Sequence, residues 1–182
     1  MAKPGIEFSI TIQDEGLKAL LSAMEARGKD LSPFFKKSAL IMIRSFNENF
    51  RQEGRPSKWK PLSPNTVAGR RKGSKKILQD KSLLRQSVTA RSAPGNIQKF
   101  SKDSLKMGSR QKTAAWHQGG TKPFTIVPRS KKTLSFMTAS GRVFVKKVNH
   151  PGLVPRPFIM IQQEDELAMA NLALDHMTEG IN

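Results

Sequence analysis

The feature that most restricts the fold is a long apolar stripe in the first third of the chain. Apolar side chains recur there at three- and four-residue intervals, as on one face of an amphipathic helix: Phe35, Ala39, Met42, Phe46 and Phe50. Ser32 and Pro33 suit the start of this helix, with serine as the N-cap and proline at the first helical position. Because Phe34, Ile41 and Ile43 widen the apolar surface, the helix is covered on two sides or partly buried against another subunit. Packing in the chain's own core is the favoured alternative.

Other segments carry the alternating pattern of strands. Apolar and polar residues alternate at 7–12, where Phe8, Ile10 and Ile12 share one face. Later strands are predicted at 104–109, 124–127, 133–137 and 142–148. A turn at 139–141 joins two of them directly, which predicts an antiparallel sheet.

Three further helices are predicted. The first is capped by Asp14 and ends at Gly28, and a second, short helix is indicated by the leucines between 78 and 88. The last runs from about Gln163 to His176 and has acidic residues in its first turn, where the helix dipole favours them. Its apolar side consists of Leu167, Ala170, Leu174 and Met177. The elements predict one α+β domain over residues 1–182, an antiparallel sheet with helices packed on one face.

The net charge of +18 is concentrated in the middle of the chain. Residues 51–147 contain 24 Lys and Arg but only 3 Asp and Glu, whereas residues 148–182 contain 1 and 5. Such a basic zone could meet a polyanion or an acidic patch on a neighbouring copy, or it could simply be a solvated face.

Residues 51–76 lack periodicity and are interrupted by glycines and prolines, which predicts a long, flexible, basic extended arm. Five cations near its end are candidates for contact with DNA or with an acidic partner: Arg70, Arg71, Lys72, Lys75 and Lys76. If they bind nucleic acid, we expect them to contact phosphates with no preference for base sequence, because no standard nucleic-acid-binding motif is present.

Several classes of protein are disfavoured. Enzyme motifs are missing and the central carboxylates are sparse, so no catalytic residue and no enzymatic activity are expected. Without cysteine, and with three widely spaced histidines, no metal site or cofactor is expected. No apolar run is long enough to span a membrane and the N-terminus lacks the core of a signal peptide, so we expect synthesis in a cytoplasm and no membrane partner.

Three short motifs have the character of docking segments: Trp59–Thr66, Trp116–Gly120 and Pro155–Phe158. They combine aromatic side chains, prolines that stiffen the backbone and a tight glycine turn, which favours assembly over catalysis. The aromatics Trp59 and Phe158 are expected to fill pockets on a partner. The candidate interface residues are Trp59, Leu62, Thr66, Trp116, His117, Arg156 and Phe158.

His117 has two possible roles. It could carry a proton, or it could bond the backbone of the glycine turn through a ring nitrogen, and the second role is favoured. The turn at His150 is interpreted in the same way, with the imidazole capping a free carbonyl.

On these motifs the chain resembles the virion-morphogenesis and tail-completion proteins of tailed bacteriophages, particularly the Mu-like group. The resemblance spans residues 32–175 and rests on residues in the family's order: Trp59, Pro61, Leu62, Ser63, Thr66, Leu78, Leu83, His117, Gln118, Gly119, Arg156, Pro157 and Phe158. The family's glycine before the Leu83 region is missing in this chain, which has Asp80-Lys81-Ser82 there.

The resemblance implies a non-enzymatic structural protein of the virion, at the neck or the head-proximal end of the tail. It implies a homo-oligomeric ring, hexameric in such a family, that acts as a tail-completion, tail-terminator or neck protein in head–tail joining. The implied partners are other copies of the chain and neighbouring neck, connector or tail-tube proteins. The acidic last helix against the basic middle is one plausible pair of subunit surfaces.

A second hypothesis is a nucleic-acid-binding oligomer that contacts packaged or translocating DNA without sequence preference. The basic middle supports it, while the proline-flanked aromatics favour the assembly protein.

Overall fold

A computed structural model describes residues 15–179, so the strand expected at 7–12 and the Asp14 cap lie outside the described residues. The helices are α1 (Glu15–Lys29), α2 (Ser32–Gln52), α3 (Pro64–Ala68), α4 (Leu83–Thr89), α5 (Ala114–Gly119) and α6 (Gln163–Thr178). The strands are β1 (Asn96–Phe100), β2 (Leu105–Ser109), β3 (Phe124–Ile126), β4 (Leu134–Thr138), β5 (Gly141–Val145) and β6 (Val148–His150). The predicted α+β class is confirmed. No helix within the described residues is both long and apolar enough to cross a membrane.

Helix α2 is the centre of the fold. Most of the predicted stripe is buried, and burial of a single phenylalanine contributes roughly 1.5–3 kcal/mol. The helix begins one residue earlier than predicted, because Leu31 and not Ser32 is the N-cap, and it has no side-chain cap bond. The backbone N–H of Ser32 donates instead to Asp30 Oδ1 at 2.9 Å. At the C-terminus Glu53 adopts a left-handed conformation and its N–H donates to the carbonyl of Asn49.

The strands form three separate antiparallel pairs, β1–β2, β3–β6 and β4–β5, within the described residues. The antiparallel pairing is as predicted, but the single sheet is not formed. Strand β1 was not among the predicted strands, and the β3–β6 pair encloses the β4–β5 hairpin in sequence. Each pair has only three to five residues per strand, and among the described residues no ladder joins one pair to another.

The core lies between α2, α4, α6 and the β1–β2 pair. Its buried members are Met42, Phe46, Phe50, Trp59, Ile77, Leu78, Leu84, Val88, Ala114 and Phe158. Helix α6 has the predicted bounds, but its contact face differs from the predicted one. The buried positions are Asp165 and His176, while Leu167 and Leu174 are 60% and 63% exposed.

Residues 51–76 form a closed loop and not the extended arm that was predicted. Glu53 holds both ends of this loop. Its backbone carbonyl accepts from the N–H of Trp59 at 2.7 Å, and its carboxylate accepts from the N–H of Ile77 at 2.8 Å. Short helix α3 and a single 3-10 turn at Arg71–Gly73 lie between these contacts.

Candidate functional site

The turn after α2 places Trp59 against the core. Gly54 has φ +115°, and a Cβ at this position would lie 2.5 Å from the carbonyl oxygen of Ser57, so the turn requires glycine. The Trp59 indole packs edge-on against Phe50, with ring centroids 5.8 Å apart, and its Nε1 donates to the carbonyl of Pro157 at 3.1 Å. The first and third motifs of the sequence therefore meet at one buried tryptophan.

Arg156 makes the second link between these motifs. Its Nε and Nη2 both donate to the carbonyl of Lys60, at 3.2 and 2.9 Å, and its backbone N–H donates to the carbonyl of His117 at 2.7 Å. Two N–H groups of the planar guanidinium thus converge on one carbonyl oxygen of the same chain. All three motifs converge on this arginine.

Gln118 fixes the third motif to helix α5. Its Oε1 accepts from the backbone N–H groups of Phe158 and Ile159 at 3.0 and 3.1 Å, and its Nε2 donates to the carbonyl of Ile159 at 2.8 Å. One amide side chain therefore satisfies three backbone groups of a segment that has no secondary structure of its own.

Gly120 ends α5 with φ +75°, where a Cβ would lie 2.6 Å from the carbonyl oxygen of Leu153. This close approach lets Thr121 and Leu153 bond each other twice. The N–H of Thr121 donates to the carbonyl of Leu153 at 3.0 Å, and the N–H of Leu153 donates to Thr121 Oγ1 at 2.9 Å. The turn at Gly120 and Thr121 therefore holds the segment before Arg156 in place.

A groove of about 650 Å³ lies beside the convergence of the three motifs. Leu62, Leu83 and Val154 give it apolar walls, and Arg70 and Arg156 line it together with Asp80. Burial lowers the pKa of Arg156, as does the nearby Arg70 guanidinium. A guanidinium stays protonated at neutral pH in spite of such a shift, so the groove carries an excess of positive charge.

His117 also lines this groove, and its ring Nδ1 is buried with no hydrogen-bond partner among the described residues. Burial lowers the pKa of the imidazole, and the charges of Arg156 and Arg70 lower it further. Among residues 15–179 the expected bond from a ring nitrogen of His117 to the turn backbone is not seen, and it is the backbone carbonyl of His117 that joins the motifs. At His150, by contrast, Nδ1 accepts from the N–H of Gly152 at 3.0 Å, so the imidazole caps an N–H and not a carbonyl.

The candidate interface residues have different environments. Trp59 and Phe158 are 5% and 0% exposed in the chain's own core, which corrects the expectation that they fill pockets on a partner. They fit the intramolecular core because Pro157 and the Gly54 turn bring them there. Leu62 is half-buried against that core, and Trp116 is 51% exposed.

Thr66 and Arg156 are also engaged within the chain. The N–H of Thr66 donates to Ser63 Oγ at 3.2 Å, which caps α3. Among the described candidates, Trp116 has the aromatic surface that is most available to a neighbour.

The five cations of the 51–76 loop divide into two groups. Arg70 is half-buried beside the groove and donates to the carbonyl of Lys76. The other four are exposed: Arg71, Lys72, Lys75 and Lys76. The Nε of Arg71 lies 3.6 Å from Oδ1 of Asp80. The exposed members form a basic surface that a polyanion can reach.

Arg55 was not among the site residues predicted from the sequence. Its side chain is largely buried and donates to Asn49 Oδ1 at 2.9 Å, to the carbonyl and Oγ of Ser45, and to Glu164 at 2.8 Å. It thereby joins α2 to the start of α6, where Asp165 accepts from Ser45 Oγ and from the N–H of Gln162. The buried serine and asparagine on the core face of α2 were the available signal, because buried polar groups require a partner.

Comparison with known protein families matches the sequence of this chain to one of them. A model of the phage virion morphogenesis family matches residues 12–178, almost the whole chain. The chain belongs to the phage virion morphogenesis family. No curated protein and no solved structure matches it.

Membership in the phage virion morphogenesis family gives the chain a structural role in building a bacteriophage virion. The family is of a structural kind and is not known as enzymatic. In this chain four residues hold the three motifs together beside the basic groove: Trp59, Gln118, Arg156 and Phe158.

Proposed function

We propose that this family member forms a closed homo-oligomeric ring, a hexamer, at the head–tail junction of the phage. There it completes the tail and joins it to the head, as a tail terminator or neck protein, in contact with connector or tail-tube proteins. The resemblance of its motifs to tail-completion proteins supports this position.

The observation that carries the proposal is the large apolar surface left exposed by the single chain. The described residues contain 11 buried hydrophobic residues but 13 large hydrophobic residues that are strongly exposed. Exposed apolar side chains mark a protein–protein interface where they lie together, as Met137 and Phe144 do on one face of the β4–β5 hairpin. These residues lie on five helices (α1, α2, α4, α5 and α6), on strands β3, β4 and β5 and in loops, so a subunit can offer different surfaces to two neighbours, as a closed ring requires.

The test is a phage that lacks the protein, with the protein supplied in trans as the control. We expect lysates without it to contain filled heads and separate tails, and infectivity to fall by orders of magnitude. Light scattering of the purified protein, with a chain mass of 20.3 kDa, should give six chains per particle. Normal numbers of joined, infectious particles in its absence would contradict the proposed role.

A second candidate function, contact with packaged or translocating DNA without sequence preference, is favoured by one observation. Lys72, Lys75 and Lys76 are exposed and have no ion-pair partner among residues 15–179. Such unpaired cations bind phosphates by releasing counterions, which requires no base contact. This function is compatible with a ring through which DNA passes.

A further inference from the structure

The outward side of α6 is an apolar ridge with an acidic border. Leu167 and Leu174 are seven residues apart, which is about two helical turns or 10 Å, so they lie in line along the helix. Glu166 and Asp175 are exposed, and one precedes Leu167 while the other follows Leu174. At 100° per residue they lie on opposite sides of this line. We call these four residues, with Glu164, the α6 ridge.

The β4–β5 hairpin has the opposite character. Ser135 pairs with Phe144 and Met137 pairs with Arg142, so these four side chains share one face. Phe144 and Met137 are 66% and 40% exposed on that face. The hairpin face, as we define it, includes these residues and the exposed cations that flank them: Lys131, Lys132, Lys146 and Lys147.

Among residues 15–179 the hairpin cations have no ion-pair partner, and Glu164 is the one paired carboxylate of the ridge. The sequence contains no Asp or Glu between Asp103 and Glu164, so the hairpin lies in an entirely non-acidic stretch. From Pro157 onward it contains no Lys or Arg, so α6 brings no cation of its own. Among the described residues the ion pair of α6 is Glu164 with Arg55, while Glu166 and Asp175 are unpaired.

We infer that the hairpin face of one copy docks on the α6 ridge of the next copy; this inference rests on the ring proposed above. Phe144 and Met137 would pack on Leu167 and Leu174. Arg142, Lys146 and Lys147 would lie beside the acidic border.

The dimensions and the charges both favour this pairing over self-pairing of either surface. A five-residue strand is about 16 Å long, which covers the roughly 10 Å between the two leucines. Two ridges placed face to face would oppose their carboxylates, and two hairpin faces would oppose their cations, so each surface rejects a copy of itself. A contact between two unlike surfaces is heterologous, and it closes into a ring when the rotation between copies allows.

Cysteine cross-linking tests the contact, because the chain contains no native cysteine. Asn171 is exposed on α6 between Leu167 and Leu174, and Lys146 belongs to the hairpin face. We expect a mixture of the Lys146→Cys and Asn171→Cys variants to form disulfide-linked dimers about tenfold faster than a control mixture. The control pairs Asn171→Cys with Lys106→Cys, which is an exposed lysine of β2. A rate equal to that of the control, or faster linkage of Asn171→Cys with itself, would overturn the inference.

A mixing experiment tests the direction of the contact. Phe144→Glu places a carboxylate in the hairpin face, and Leu174→Lys places a cation in the α6 ridge. Each variant alone should therefore fail to assemble. Mixed together they retain one intact hairpin face and one intact ridge, and should form a 1:1 dimer that grows no further. Leu40→Lys, at an equally exposed leucine of α2 that belongs to neither the hairpin face nor the α6 ridge, is the control and should still assemble.

Other results of the mixing experiment identify other occupants. Assembly of the Leu174→Lys variant alone, with a lowered melting temperature, would mean that the same chain covers the ridge, and it would overturn the inference. If the Leu174→Lys variant still assembles with itself but no longer binds other phage proteins, the ridge belongs to a contact with them. That result would also overturn the inference. If the cross-link forms but virions are completed without the protein, the proposed function fails and the contact stands. If virions require the protein but the cross-link is absent, the contact alone fails.

Discussion

The two tryptophans of this chain show how far a single residue's role depends on the path of the backbone. Trp59 and Trp116 both lie in motifs with prolines or glycines, and both have the composition of docking residues. Trp59 is 5% exposed and Trp116 is 51% exposed. The difference arises because the Gly54 turn folds Trp59 back onto Phe50, while Trp116 lies on the outer side of a helix only six residues long.

Trp59→Ala is expected to lower the free energy of unfolding by about 3–5 kcal/mol, since it empties a core site and removes the indole bond to Pro157. Trp116→Ala is the matched control, and it should change the free energy of unfolding by no more than about 0.5 kcal/mol. Urea denaturation followed by circular dichroism measures both values. Similar values for the two variants would mean that Trp59 is not part of the chain's own core.

Residue by residue, the sequence could predict which side chains belong together but not whether they meet within one chain or between two. The three motifs predicted as a functional set do converge on Arg156 and Gln118. An aromatic ring between prolines has the same local chemistry in a core and in an interface. Only the turn geometry at Gly54 and Gly120 decides between them, and that geometry depends on distant segments.

At the level of elements, strong periodicity predicted the helices well and the strand arrangement poorly. The bounds of α2 and α6 follow from their own residues, because apolar spacing and helix-end signals are local. The strand pairs are set by partners far away in sequence, such as β3 with β6. The buried face of α6 also escaped prediction, because Asp165 and its bond to Ser45 turn the leucines outward.

The link between α2 and α6 gives a prediction for these elements. Arg55→Ala should lower the free energy of unfolding by about 2–3 kcal/mol, because it removes charged hydrogen bonds to buried groups of Ser45 and Asn49. Glu164→Gln removes only the exposed end of this network, and should cost about 0–1 kcal/mol. Chemical denaturation measures both. An equal loss in the two variants would place the stabilisation in the ion pair and not in the buried bonds.

For the whole molecule, the dominant fact is the separation of charge along the chain. A net charge of +18 on each subunit opposes assembly by repulsion, and an assembly of copies needs specific contacts to overcome it. An acidic surface on α6 placed against a basic hairpin would relieve part of this repulsion at every interface. The exposed cations of the 51–76 loop are not needed for that contact, and they remain available to a polyanion.

Replacing Arg71, Lys72, Lys75 and Lys76 by Gln separates DNA contact from assembly. Each lost phosphate contact should reduce the slope of log affinity against log salt by about 0.9 for duplex DNA, so this variant should bind DNA more weakly and with a flatter salt dependence. The control replaces four other exposed cations by Gln, namely Lys99, Lys102, Lys106 and Arg110, with the same change in net charge. In about 0.3 M salt, where exposed charges are strongly screened, both variants should still assemble through their apolar surfaces. If the salt dependence of DNA binding flattens equally in the two variants, binding depends only on net charge. If the first variant alone fails to assemble, the 51–76 loop is a subunit contact.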